Sequence, residues 1–188
     1  MLRRYAVALT VGLQFTQVIA ASSHKTQLNG WYPCSDYTFS DAGSSSGQNA
    51  ECATYNAPLC YPGICNASDS VDTTVDIFVK RFPATSTNPD NATNVWLLQG
   101  GPGYSSSTLE STMISLHTQL EGVANVYTMD HRGTGRSTRL DCAAAQATTT
   151  GSPSGGNTNP SEVSACAKDL QFQYGDLASF SMTTAATD

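Results

Sequence analysis

The chain has 188 residues, a formal net charge of −6 at pH 7, 39% hydrophobic residues and only 13% charged ones. That length suits one ordinary domain rather than two large ones, and the apolar share excludes a disordered chain, although the many Ser, Thr and Gly residues point to long loops. An acidic chain without a basic run is repelled by phosphate backbones and anionic lipid, so neither nucleic acid nor a membrane surface is an expected partner.

At the amino end, Arg3 and Arg4 lead into Ala6-Val7-Ala8-Leu9-Thr10-Val11-Gly12-Leu13, and Val18-Ile19-Ala20 closes the apolar stretch. This pattern predicts a signal peptide over residues 1–20, cut after Ala20 or one residue later. A membrane anchor fits less well, because Gln14, Thr16 and Gln17 interrupt a stretch already shorter than the ~20 apolar residues of a span. Removing the leader takes away two arginines and moves the charge from −6 to −8. The expectation is a secreted protein with no membrane attachment after signal removal.

Residues 21–70 read as a cysteine-rich, irregular extension holding Cys34, Cys52, Cys60 and Cys65; Cys142 and Cys166 follow far downstream. An even cysteine count behind a leader favours disulfides in an oxidising compartment. No C-x-x-C pair occurs, and His24, His117 and His131 are not spaced as ligands beside the cysteines, so no metal site and no cofactor are expected. Only one pairing is predicted, Cys142 with Cys166, which stand isolated together in the second half. Two sequons, Asn66-Ala67-Ser68 and Asn91-Ala92-Thr93, are glycosylation candidates.

Regular structure begins with "VDTTVDIFVKRF", where Val71, Thr73, Val75, Ile77 and Val79 alternate with polar residues, as in a half-buried strand that Pro83 ends. The continuously apolar "NVWLLQ" predicts a strand buried on both faces. Ser107 and Glu110 match the S-x-x-E capping box, and Leu109, Met113, Leu116 and Leu120 recur at helical spacing, predicting a helix over 108–121 closed by Gly122. "ANVYTMD" is a second short buried strand ending at Asp130. Strand, glycine loop, helix and strand make a β-α-β unit, whose crossover implies a parallel sheet with helices on its faces and ligand-binding loops at its carboxyl ends. Residues 151–160 read as a low-complexity surface loop, and "SEVSACAKDLQFQYGDL" as helical in its first half.

A glycine loop between strand and helix suits a phosphate cradle, an oxyanion hole or a tight turn. A P-loop needs G-x-x-x-x-G-K-[ST], and no lysine stands between Lys80 and Lys168. A dinucleotide fingerprint fails as well, since neither glycine cluster has the third glycine in place. An oxyanion hole needs unhindered backbone N–H groups in a fixed direction, which Gly100-Gly101-Pro102-Gly103 offers, with Pro102 restricting Gly101. On local chemistry the oxyanion hole, the structural turn and an anion site all stay open.

"LLQGGPGYSSS" followed by "VYTMDHRGTGRSTRLDC" resembles the α/β-hydrolase serine peptidases of the proline iminopeptidase and tripeptidyl aminopeptidase family, over about residues 71–188. The resemblance implies that Gly100, Gly101, Pro102 and Gly103 form part of the oxyanion hole, with Gly101 the main donor, and that Asp130, Arg132, Gly133, Gly135, Arg136 and Ser137 form a supporting loop after the next strand. It departs at Gln99, where many members have histidine. The implied fold is an incomplete α/β-hydrolase, represented by its first strands and helix, and the implied activity is release of residues or tripeptides from peptide amino termini. The alternatives are an esterase on the same scaffold and a non-catalytic secreted binding protein.

Such hydrolysis requires a serine activated by histidine and carboxylate, arranged as Ser in G-x-S-x-G, then Asp, then His. Gly43-Ser44-Ser45-Ser46-Gly47 matches the first pattern but has no apolar strand before it, so Ser45 reads as linker rather than nucleophile. Ser105, Ser106 and Ser107 belong to the helix start, His117 to the edge of its apolar face, and His131 stands in the wrong chain order for a base. No triad member is expected within these residues, and the chain is expected to be truncated before the nucleophile elbow.

Overall fold

The computed structural model describes residues 28–39, 47, 49–100, 103–142 and 160–188. The leader and its cleavage position, His24, Ser45, Gly101, Pro102 and residues 151–159 of the low-complexity loop lie outside the described residues. Strands β1 (Tyr32–Pro33), β2 (Glu51–Pro58), β3 (Thr74–Phe82), β4 (Thr93–Leu97) and β5 (Ala124–Met129) join helices α1 (Glu110–Gln119), α2 (Val163–Tyr174) and α3 (Met182–Ala185), with short 3-10 turns between them. The result is a mixed five-stranded sheet of the α/β class, in the order β1-β2-β3-β5-β4.

Only β4 and β5 run parallel, paired from Thr93 with Ala124 to Leu97 with Thr128, with α1 as their crossover. The β-α-β unit is therefore present, but the wholly parallel sheet expected from it is not, because β1, β2, β3 and β5 pair antiparallel in succession. The alternation in "VDTTVDIFVKRF" identified β3 correctly: odd-numbered Val75 and Ile77 pack with Met129, Tyr174 and Phe180 on one face. On the other face Phe82 joins Val126 and Met113 of α1. Burying a side chain such as fully enclosed Met113 contributes roughly 1.5 to 3 kcal/mol.

Two expectations about elements need correction. The run "NVWLLQ" is not buried on both faces: β4 is the sheet's edge strand, with Trp96 48% and Leu98 59% exposed. Residues 51–58, read as irregular, form β2, which pairs with β3 along its whole length. Helix α1 does end as expected, with Gly122 at φ +68° donating its N–H to the His117 carbonyl.

Three disulfides are present. Cys142 pairs with Cys166 as predicted, fixing the end of the Asp130 loop to α2, while Cys34–Cys52 and Cys60–Cys65 resolve the pairings left open. Among the described residues no helix is long and apolar enough to cross a membrane.

Candidate functional site at the end of the parallel strands

The two glycine motifs follow β4 and β5, the parallel pair, and the structure brings them together. The link is Asp130, wholly buried directly after β5. Its Oδ1 accepts from the Ser106 backbone N–H and from the Ser106 hydroxyl, both at 2.6 Å, and its Oδ2 accepts from Arg136 N and Nε, both at 2.8 Å. One carboxylate thus ties the segment after the glycine loop to the second loop. Burial alone would raise the Asp130 carboxyl, but bonds from the Arg136 side chain, the Ser106 hydroxyl and their backbone N–H groups outweigh it and hold it below the usual value.

Each remaining residue of the second loop has a distinct task. Gly135 sits at φ +53°, and a Cβ there would lie 2.4 Å from Asp130 Oδ2, so only glycine lets the loop close over the carboxylate. Gly133, at φ +84°, exchanges backbone bonds with the Thr138 carbonyl and the Leu140 N–H. Ser137 Oγ donates to the Asp130 carbonyl and accepts from Phe78 N at 2.8 Å, which joins the loop to β3. Arg132 turns away from the glycine loop: it pairs with Asp188 and donates to the carbonyls of Pro58, Leu59 and Ser179, pinning the last described residues onto the end of β2. Burial, then Asp188, push the Tyr61 hydroxyl beside this pair well above its usual range.

The glycine loop is braced from its other end by Gln99. Its Nε2 donates to the Gly100 carbonyl at 3.1 Å, its Oε1 accepts from Thr108 Oγ1 at 2.8 Å, and its own backbone carbonyl accepts from His131 Nε2 at 3.1 Å. The glutamine that departs from the expected histidine therefore spans the loop from strand to helix. Gly100 is exposed with open space where a Cβ would stand, and Gly103 has φ +90°. Gly101 and Pro102, the expected donor and its restraint, lie outside the described residues.

The capping box expected from Ser107 and Glu110 is not formed. Ser107 Oγ lies 2.6 Å from Ser105 Oγ, and a 3-10 turn over Ser106–Leu109 precedes α1. Glu110 points into the core instead, 2% exposed, where it meets Lys80 Nζ at 2.6 Å, Thr38 N at 2.6 Å and Arg136 at 3.3 Å. Lys80 is 1% exposed and donates also to the Asp36 carbonyl at 3.0 Å. Burial pulls the Lys80 ammonium below its usual value, opposed by Glu110. Sequence reasoning singled out neither Lys80 nor Glu110 as a buried pair, nor Thr38, which comes from the cysteine-rich segment.

Above this network lies a cleft of about 370 Å³ bordered by Thr38, Phe39, Tyr104, Ser105, Arg136 and Arg139. Neither described histidine contacts it: His117 Nε2 lies 2.9 Å from the Pro83 carbonyl, and His131 faces Gln99. Asn66 and Asn91, the sequon residues, are both exposed and away from the cleft lining. Among the described residues no group of three or more His, Cys, Asp or Glu is placed to hold a metal ion. In comparison with known proteins, no family model and no curated protein matches the chain.

Proposed function

We propose that the chain supplies the oxyanion loop of a secreted serine hydrolase of the α/β-hydrolase type, an exopeptidase on peptide amino termini, and that residues 21–188 are by themselves catalytically inactive. The observation that carries this reading is the Asp130 tie: it links the loop after β4 to the loop after parallel β5 through Ser106. Attack on a peptide carbonyl places negative charge on its oxygen, and donors already aimed at that position stabilise the transition state without reorganising. Gln99 on one side and Asp130 on the other supply such stiffness, and the bare Gly100 backbone lets a substrate approach. The disulfides support an oxidising compartment. Serine, acid and base are assigned to none of the described residues.

The test is the natively secreted protein, treated with a fluorophosphonate and assayed for release of amino-terminal residues from chromogenic peptides. Activity and labelling of the natively secreted protein are expected, with no label on any serine of residues 21–188, Ser45 and Ser105 included. Gly101→Pro, which removes the N–H, is expected to lower kcat by ~100- to 1000-fold with KM nearly unchanged. A protein that is neither labelled nor active refutes the reading, and a labelled Ser105 refutes the division of roles.

A further inference from the structure

We propose that the cleft beside the glycine loop is a carboxylate subsite in which Arg139 determines specificity, so that the preferred peptides carry a free carboxylate near the reacting bond. The inference rests on the hydrolase reading for the word "reacting", but not for the binding itself. Its starting point is charge. In a chain of net charge −6, the described residues that line the cleft include two arginines and no carboxylate.

The two guanidiniums are not equivalent. Arg136 is committed beneath the surface to Asp130, Glu110, Thr38 and Ser106, with its planar face 3.8 Å from the Phe78 ring centroid. Arg139 is held by its backbone and only loosely paired at its tip. Its carbonyl accepts from Tyr174 Oη at 3.0 Å, it bridges to Gly133, and Cys142 of the α2 disulfide follows three positions on. Its side chain is 60% exposed, and its ion pair runs from Nε to Asp141 at 3.4 Å. The Lys80–Glu110, Arg81–Glu51 and Arg136–Asp130 pairs close to 2.6 to 2.8 Å and Arg136–Glu110 to 3.3 Å, so the Arg139 pair is the longest of these and, unlike the others, lies at an exposed side chain. A guanidinium carries five donors in a fork that matches a carboxylate bidentately, and this pair uses one of them.

Phe39 and Tyr104, 84% and 62% exposed, flank the same cleft and offer apolar surface to the body of the residue bearing the carboxylate. The anchored backbone and loosely paired, exposed charge give a fixed origin and an adjustable reach. A carboxylate from a peptide side chain and one from a peptide carboxyl terminus present the same chemistry to it.

Calorimetric titration of the full chain with three short peptides separates these sources: one with a glutamate side chain and an amidated end, one with glutamine and a free end, and one with glutamine and an amidated end. We expect at least one carboxylate peptide to bind about tenfold tighter than the uncharged one, equivalent to ~1.4 kcal/mol. Arg139→Ala should bring the ratio within about twofold, Arg139→Lys should keep part of it, and Asp141→Asn should widen it. Tyr104→Ala should weaken all three peptides while leaving the ratio in place. A wild-type ratio below about two, a ratio unchanged in Arg139→Ala, or equal displacement by inorganic phosphate at the peptide's concentration overturns the proposal. Because the ratio is read from binding, acid-selective binding without hydrolysis removes only the hydrolase reading, and hydrolysis without acid selectivity removes only the subsite.

Discussion

Replacing Glu110 by leucine should be among the most destabilising single changes in the chain, and the reason can be worked out atom by atom. Glu110 Oε1 faces Lys80 Nζ at 2.6 Å with side-chain exposures of 2% and 1%, and both its oxygens serve Thr38. Removing one member of a buried pair typically costs about 3 to 5 kcal/mol, because the other charge is left desolvated. In Glu110→Leu, Lys80 keeps only the Asp36 carbonyl at 3.0 Å among these partners, and the Thr38 N–H loses its acceptor, which places the cost near the upper end. In Lys80→Met, Glu110 keeps Arg136 at 3.3 Å and both Thr38 bonds, so the cost should fall near the lower end. The double variant Lys80→Met/Glu110→Leu removes both charges and, relative to Glu110→Leu alone, exchanges a desolvated ammonium for the loss of the Lys80 bond at the Asp36 carbonyl, a deficit of ~1 to 3 kcal/mol. It should therefore be more stable than Glu110→Leu alone by about 2 kcal/mol. Urea unfolding under oxidising conditions, followed by tryptophan fluorescence, measures all three through the midpoint at constant slope. With total stabilities of ~5 to 15 kcal/mol, the singles should shift the midpoint substantially. A cost below about 1 kcal/mol for Glu110→Leu, or a double variant no better than that single, would show that the pair does not carry the burial penalty assigned to it.

Gly135→Ala should cost ~1 to 3 kcal/mol, since its Cβ meets Asp130 Oδ2 at 2.4 Å and Ser105 Cβ at 2.8 Å at φ +53°. Gly100→Ala, which meets nothing within 4 Å, is the control and should stay within about 0.5 kcal/mol; equal midpoints for the two variants would refute the close approach. Asp130, held below the ordinary carboxylate value, binds fewer protons folded than unfolded, so its stabilisation is complete above about pH 4 to 5 and disappears as pH falls through the folded value. Asp130→Asn should therefore be less stable at neutral pH and show a shallower acid limb than wild type, whereas parallel stability profiles between pH 2 and pH 7 would refute this linkage.

What the sequence revealed depended on how local the constraint was. The alternation in β3, the helical spacing around Met113 and the helix-closing Gly122 each impose a pattern within a few residues, and each was readable. Strand β2 was not, because its buried residues are Cys52, Ala53 and Ala57, small side chains without the β-branched signature of a strand. The apolar run of β4 was recognised as a strand but misplaced, since a sequence cannot show whether another strand lies beyond it. The capping box failed for a related reason. Ser107 and Glu110 have the right spacing, yet Glu110 finds a stronger partner in Lys80, 30 positions away.

The same distinction runs through the candidate site. Residues that shape its backbone were legible, whereas charges that stiffen it pair over separations of 30, 56 and 72 positions, through Lys80–Glu110, Arg132–Asp188 and Thr38–Glu110. Of these, the Thr38 contact changes the view of the chain most. The cysteine-rich segment looked separable from the glycine loop, but Cys34–Cys52 anchors it to β2, Thr38 satisfies Glu110 at the start of α1, and Phe39 borders the cleft. Glu110 in turn touches Arg136, which holds Asp130, which holds Ser106. The stiffness attributed to the glycine loop is thus a property of a continuous polar network that begins at Thr38, and the oxyanion reading depends on that segment as much as on the glycines themselves.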